Sequence, residues 1–400
     1  MRTDSFLNMW RAALCTFCLA LGCGCATQPV PTSRGTGDLG VVVERARGTL
    51  AIVDTSQRTV LGEVPGLGDL SHASVVFSRD GRFAFVFGRD GALSKVDLLS
   101  RAVVQRVQQA GNAIGGAISQ DGRIVVAQNY EPGGIRAFDA DTLAPLAEVP
   151  AVYGNEGRRS KVVGLADAPG NRFVYALFDA GEIWVSDFSD PRAPRTEKYS
   201  AGRQPYDGLI TPDGRFYLAG LFGEDGVAML DLWRPSQGVR KILHHWGQGE
   251  EHLPVYKMPH LRGWAMADGL LWLPAVGKHE VWVVDARTWE EVAHIPVIGQ
   301  PVFVMAQPDG RQVWVNFALP DNGKVQVIDV LSRAVVKLLE PGRAILHLEF
   351  QPRGGEVWLS ARDDHRVVVL GTDHFDLRQS ITLDAPSGIF FSSRAAKIGF

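Results

Sequence analysis

Two histidines occupy the same place in a phrase that recurs along the chain. His72 lies eight residues before Asp80-Gly81, and His260 lies eight before Asp268-Gly269. An imidazole binds iron through a lone pair or moves a proton near neutral pH. Cations accompany both. Arg89 sits in Phe87-Gly88-Arg89-Asp90-Gly91, Arg158, Arg159 and Lys161 lie close together, Arg262 follows His260, and Arg343 enters the last full repeat. Guanidinium forks hold planar carboxylates through paired hydrogen bonds. Tyr130, in Asn129-Tyr130-Glu131-Pro132, adds an aromatic face. Taken singly, these are ordinary loop residues. Brought to one surface, they suit a flat polycarboxylate that carries a metal.

The elements that must position them follow from the phrase itself. Leu70 to Arg101 reads as strand, Asp-Gly turn, strand, Asp-Gly turn and strand. Weaker copies start near residues 112, 160, 204, 258, 300 and 344. Asx-Gly between alternating apolar runs marks a hairpin, because its two central positions favour positive φ. Four-stranded units at about this period predict propeller blades. Residues 40–66 lack an opening strand, and residues 387–400 hold an opening strand with nothing after it. Joined, they complete one more blade. The expected fold is therefore an all-β, eight-bladed β-propeller closed by N- and C-terminal strands, with seven ragged-ended blades as the alternative. In an eight-membered ring, blades four apart face one another, so His72 and His260 stand across the channel mouth. Residues 247–258, which include His252, read as a lid.

The remaining composition narrows the class. A net charge of -3 with no basic stripe gives no case for nucleic acid. All four cysteines (Cys15, Cys18, Cys23, Cys25) lie before residue 26, so the body holds no disulfide or thiolate site. Residues 1–22 read as a secretion signal of lipoprotein type. The apolar run 12–22 is too short for a stable span, and Ala20-Leu21-Gly22-Cys23 resembles a lipobox with Cys23 lipidated. A buried N-terminal helix is the other reading. Residues 23–39 read as a flexible tether and residues 40–400 as the propeller, which predicts a periplasmic protein joined to the membrane only by its lipid. Gly111–Gly116 leads into a strand rather than a helix, so a nicotinamide site is unsupported.

The body also resembles a known family. SHASVVFSRDGRFAFVFGRDGALSKVDL is similar to the segment around the proximal haem ligand in the d1-haem domain of cytochrome cd1 nitrite reductase. Weaker similarity continues in NYEPGGIRAFDADTL, PYDGLITPDGRFYLAG and GQPVFVMAQPDGRQVWV. The chain looks closer still to the haem d1 biosynthesis proteins encoded with that reductase. The resemblance implies that His72 is an axial iron ligand. It also implies that Arg89, Tyr130, Arg158, Arg159, Lys161 and Arg262 line a site for haem d1 or a late precursor. His260 resembles a distal, proton-donating histidine. The place of the second distal histidine looks like Gln307, in Ala306-Gln307-Pro308, and no Cys-x-x-Cys-His exists for a c-haem. Those departures disfavour nitrite reduction. The expectation is a tetrapyrrole-modifying, oxidoreductase-like enzyme, with a non-catalytic haem d1 carrier or a bare protein-binding platform as alternatives. The implied partners are the reductase and other d1 maturation proteins.

Overall fold

Each copy of the phrase folds on itself through the same local hydrogen bonds. In Ser78-Arg79-Asp80-Gly81-Arg82, the Ser78 hydroxyl donates to Asp80 Oδ1 at 2.5 Å, and the same Oδ1 accepts the Arg82 amide at 3.1 Å. The Gly81 amide donates to the Ser78 carbonyl at 2.8 Å. Ser119-Asp121-Arg123 and Thr211-Asp213-Arg215 repeat this arrangement. These are turns in which only the glycine needs the left-handed region, as at Gly81 (φ 68°) and Gly122 (φ 75°). The expectation of two positive φ values holds at Asp268-Gly269 (51° and 70°) and at Gly170-Asn171 (80° and 54°). Elsewhere the aspartate serves as a side-chain acceptor and stays in an ordinary conformation.

The computed structural model describes residues 34–247 and 263–399. Among them are eight four-stranded antiparallel sheets and one two-stranded ribbon. Blade 2 comprises Ser74–Phe77, Phe83–Phe87, Ala92–Asp97 and Ala102–Gln108, from channel to rim. The innermost strands of blades 3 to 8 are Asn112–Ile118, Val162–Ala168, Pro205–Ile210, Ala265–Ala267, Pro301–Ala306 and Ile345–Phe350. Blade 1 is the seam. Pro386–Phe391 is its innermost strand, and it pairs with Leu39–Glu44, which continues into Thr49–Asp54 and Thr59–Val64. Pairing the two chain ends leaves neither as a free edge. Thr36 and Asp38, read from composition as the end of the tether, are already docked. The Thr36 hydroxyl donates to the Asp80 carbonyl at 2.7 Å, and the Thr55 amide donates to the Asp38 carbonyl at 2.8 Å.

Middle strands are buried on both faces because neighbouring blades cover them, whereas rim strands such as Ala102–Gln108 are largely exposed. Tryptophans fill the gaps between blades. Trp358 is fully buried and meets the Phe391 ring edge-on at 5.4 Å, joining blade 8 to the seam. Truncating a side chain of that kind costs roughly 3–5 kcal/mol.

Two faces result. Loops entering the innermost strands meet the turns between second and third strands on one of them: the Arg89 amide bonds the Asp69 carbonyl, and the Arg362 amide bonds the Ala344 carbonyl. The far face carries the turns between first and second strands, Asp80-Gly81 among them, and the C-terminal residues 392–399 cross it. Arg79 of blade 2 donates to the Ala395 carbonyl, and the Gly399 amide donates to Asp167 of blade 4. Arg394 forms a bidentate pair with Glu349 of blade 8, with Nε 2.7 Å from Oε1.

Candidate functional site

The channel wall is shaped by interruptions in the ladders. Six innermost strands shift register against their neighbours, between Ala113/Gly115, Val163/Ala166, Tyr206/Leu209, Pro301/Val304 and Ile345/Leu348, and in the seam strand opposite Val42/Glu44. A bulge re-aims side chains and frees backbone groups from the ladder. Here side chains of the second strands take up the freed amides. Gln128 Oε1 accepts from Leu165, Asn316 Oδ1 from Phe303 and Ser360 Oγ from His347, each at 2.9 Å.

The result is a cavity of about 500 Å³. One wall is apolar: Val302, Phe303, Phe317, Leu319, Ile345 and Leu346. Leu319 is 74% exposed, an apolar lip on the mouth. The other wall carries His72, Ser74, Gln128, Arg45 and Arg362, and Arg394 reaches the cavity from the C-terminal segment. Blades 8, 1 and 2 each place an arginine in the turn between their second and third strands. These are Arg362, Arg45 and Arg89, following Glu356–Ala361, Leu39–Glu44 and Phe83–Phe87. They form an arc of positive charge over three adjacent blades, on the side that carries His72.

His72 is exposed to solvent, yet it sits in the concave mouth beside that arc. Burial among the loop atoms, then the charges of Arg89 and Arg45, hold its imidazole below the ordinary value of 6.5. The neutral ring, with a lone pair for a metal, therefore persists to lower pH than in a free histidine. The unfolded chain takes up the proton first as pH falls. This group thus favours unfolding as pH drops from 6.5 through the folded-state value, and has no such effect above 6.5. NMR titration of the His72 ring is expected to give a midpoint below 6.5, raised in Arg89→Ala. A midpoint at or above 6.5 would contradict this electrostatic picture.

Arg89 and Tyr130 meet as a pair. The guanidinium lies 5.8 Å from the Tyr130 ring, and the Tyr130 hydroxyl is 2.9 Å from that of Tyr206, which lines the cavity. Lys161 is 5.2 Å from the Phe178 ring, itself edge-on to Tyr206 at 5.7 Å, so Lys161 borders the same aromatic cluster. Arg158 and Arg159 form a ribbon with Val152–Tyr153. Arg158 lies over Tyr153 at 4.9 Å, and Arg159 pairs with Glu148 at 3.3 Å. Neither lines the cavity. Arg343 is tied to Asp364 at 2.6 Å. His260, Arg262, His252 and Cys23 lie outside the described residues.

Gln307 does not occupy a distal position. It is buried at the far-face turn, where its amide donates to the Gly354 carbonyl at 2.8 Å and to Thr372 Oγ1 at 3.1 Å. Val302 and Phe303 are the blade 7 residues that reach the cavity from the innermost strand, within its bulge between Pro301 and Val304. Sequence reasoning also missed Arg45, Arg362 and His347. A signal for the two arginines existed in the turn between second and third strands, the one already used for Arg89.

The chain matches the family described as Cytochrome D1 heme domain over residues 34–395. It is 55% identical to protein NirF of Pseudomonas aeruginosa, covering 95% of this chain and 97% of that one. Protein NirF of Stutzerimonas stutzeri is 54% identical, over 98% and 100% of the two chains. Among solved structures, dihydro-haem d1 dehydrogenase NirN in complex with DHE superposes with a TM-score of 0.80 at 26% identity, covering 92% of this chain and 78% of that one. Apo AztD from Citrobacter koseri, at a TM-score of 0.60 and 12% identity over 88% and 96% of the two chains, shares the fold alone. With an eight-bladed ring and a match of this extent, the chain belongs to the cytochrome d1 haem domain family.

Proposed function

We propose that this protein acts late in haem d1 biosynthesis, binding a d1-type precursor in the channel mouth and modifying one of its side chains. The observation that carries the reading is the mixed lining of the cavity: apolar side chains of blades 7 and 8 for a macrocycle face, with His72, Arg45 and Arg362 on the same lining and Arg89 beside His72. The donor set fits a metallo-tetrapyrrole. His72 offers a neutral nitrogen to iron, while Arg45 and Arg89 offer forked donors to carboxylates, and Arg362, whose Nε is held by Asp363 at 2.6 Å, adds positive charge beside them. Tyr130 and Tyr206 border the ring, with Lys161 beyond them. His260 serves as the acid or base, since an imidazole titrates near working pH. The similarity to a dihydro-haem d1 dehydrogenase supports an oxidative step, the removal of two hydrogens with their electrons passed to an acceptor. We infer a periplasmic location with a lipid on Cys23, on the strength of the lipobox alone.

The test is mass spectrometry of dihydro-haem d1 before and after incubation with purified protein and an added electron acceptor. Loss of two hydrogens, or another defined side-chain change, supports the enzyme. A coloured complex whose ligand mass never changes makes the protein a carrier. Absence of any complex removes the tetrapyrrole reading.

A further inference from the structure

Gln128 belongs to the second strand of blade 3 and stands opposite Gly115, where the innermost strand of that blade shifts register. It is 3% exposed, yet it lines the cavity together with Gly115, Ser74 and His72. Its Oε1 accepts the Leu165 amide of blade 4 at 2.9 Å. A backbone N–H can only donate, so this bond fixes which way the side-chain amide is turned and directs Nε2 away from Leu165. Nε2 lies over Gly115. A Cβ at that position would come within 3.1 Å of Nε2 and 3.2 Å of the Ser74 hydroxyl, so the glycine makes room for the amide. Among the described residues, no protein acceptor meets Nε2. The buried Ser74 Oγ beside it has no partner among them either. Leaving a buried donor without an acceptor costs roughly 1–3 kcal/mol. A cavity lining that keeps one is arranged for an acceptor that the ligand brings.

Resting on the tetrapyrrole reading, we propose that Gln128 is a ligand-positioning residue whose Nε2–H donates to a carbonyl oxygen at the edge of the bound macrocycle. An uncharged donor suits an uncharged acceptor, while Arg45 and Arg89 offer charged forks to carboxylates. Leu165 and Gly115 hold the amide in place before the ligand arrives. The contact therefore favours one in-plane orientation of the ring at little cost in side-chain ordering.

Two replacements separate this role from a structural one. Gln128→Glu keeps an oxygen for the Leu165 amide and turns the donor into an acceptor. Gln128→Met keeps the length and removes both. Haem d1, which carries ring carbonyls, is titrated by absorbance into the wild-type protein and each variant, with melting temperatures taken alongside. The titrations are run at pH 9, where a carboxyl group is ionised even if burial raises its pKa. The expected result is a loss of roughly tenfold or more in Gln128→Glu and about three- to tenfold in Gln128→Met. Iron protoporphyrin, whose peripheral oxygens are all carboxylate, is expected to bind the wild-type protein and Gln128→Met alike. Wild-type affinity for haem d1 in Gln128→Glu, with loss only in Gln128→Met, assigns the residue to the Leu165 amide alone and overturns the proposal. So does equal haem d1 affinity in all three proteins, or an equal loss of both ligands in Gln128→Met. Failure of the wild-type protein to bind haem d1 overturns the tetrapyrrole reading and this proposal with it.

Discussion

Replacing His72 by glycine should remove the axial-ligand signature from the absorption spectrum of the haem d1 complex. Affinity should fall on the order of a hundredfold, or about 3 kcal/mol. The expectation rests on three features of one residue. His72 is in the cavity mouth, its ring is open to solvent, and its surroundings keep it neutral. An iron–nitrogen bond changes the electronic structure of the macrocycle, whereas a lost carboxylate clamp does not. Arg45→Ala and Arg89→Ala should therefore weaken binding by about 1.5–3 kcal/mol each while leaving the spectral form intact. Because the site opens to solvent, added imidazole should restore the spectrum in His72→Gly. An unchanged spectrum in that variant, with no response to imidazole, would mean that another group holds the iron.

The second large effect belongs to the far face. Arg394 and Glu349 are 2% and 6% exposed and paired through both carboxylate oxygens. The pair ties the C-terminal segment to blade 8, and that segment follows directly from the innermost strand of the seam. Removing one partner leaves the other charge in a low-dielectric interior. Glu349→Leu should then cost about 3–5 kcal/mol in urea unfolding, and Arg394→Met a similar amount. The double variant should recover most of the loss, because two apolar side chains avoid the desolvation that the ions incur. If the double variant is as unstable as either single one, the pair is not the origin of the effect. Arg394 also lines the cavity. Loosening this segment should lower ligand affinity as well, measurable as a smaller rise in melting temperature on adding haem d1.

The two faces differ in how far they can be read from residues alone. His72 lies at the end of a loop, where the repeat supplies a register and no strand intervenes. An offset from Asp80 was enough to place it at the mouth. Gln307 was misplaced by the opposite circumstance. Its position before a proline suggested the mouth, but it stands at the far end of Pro301–Ala306, next to an Asp-Gly turn. A strand of six residues separates the two faces, so an error of a few residues moves a side chain from one end of the channel to the other.

What the amino-acid sequence determined by itself is the ring. Its signals are local: a serine or threonine two residues before aspartate, a glycine that takes positive φ, and apolar runs between them. They recur often enough to count blades and to pair residues 40–66 with residues 387–400. Only the tertiary structure decided which side chains enter the cavity. Period-two alternation names the inward face of a regular strand, and six innermost strands break it with a register shift where the ligand would lie. Phe303 and His347 therefore line the cavity from within bulges that no short-range pattern announces. Arg45 and Arg362 join Arg89 only when blades 8, 1 and 2 become neighbours, which closure of the seam brings about. Spacing along the chain could set His72 at the mouth, but the arc of charge beside it forms only when the chain ends meet.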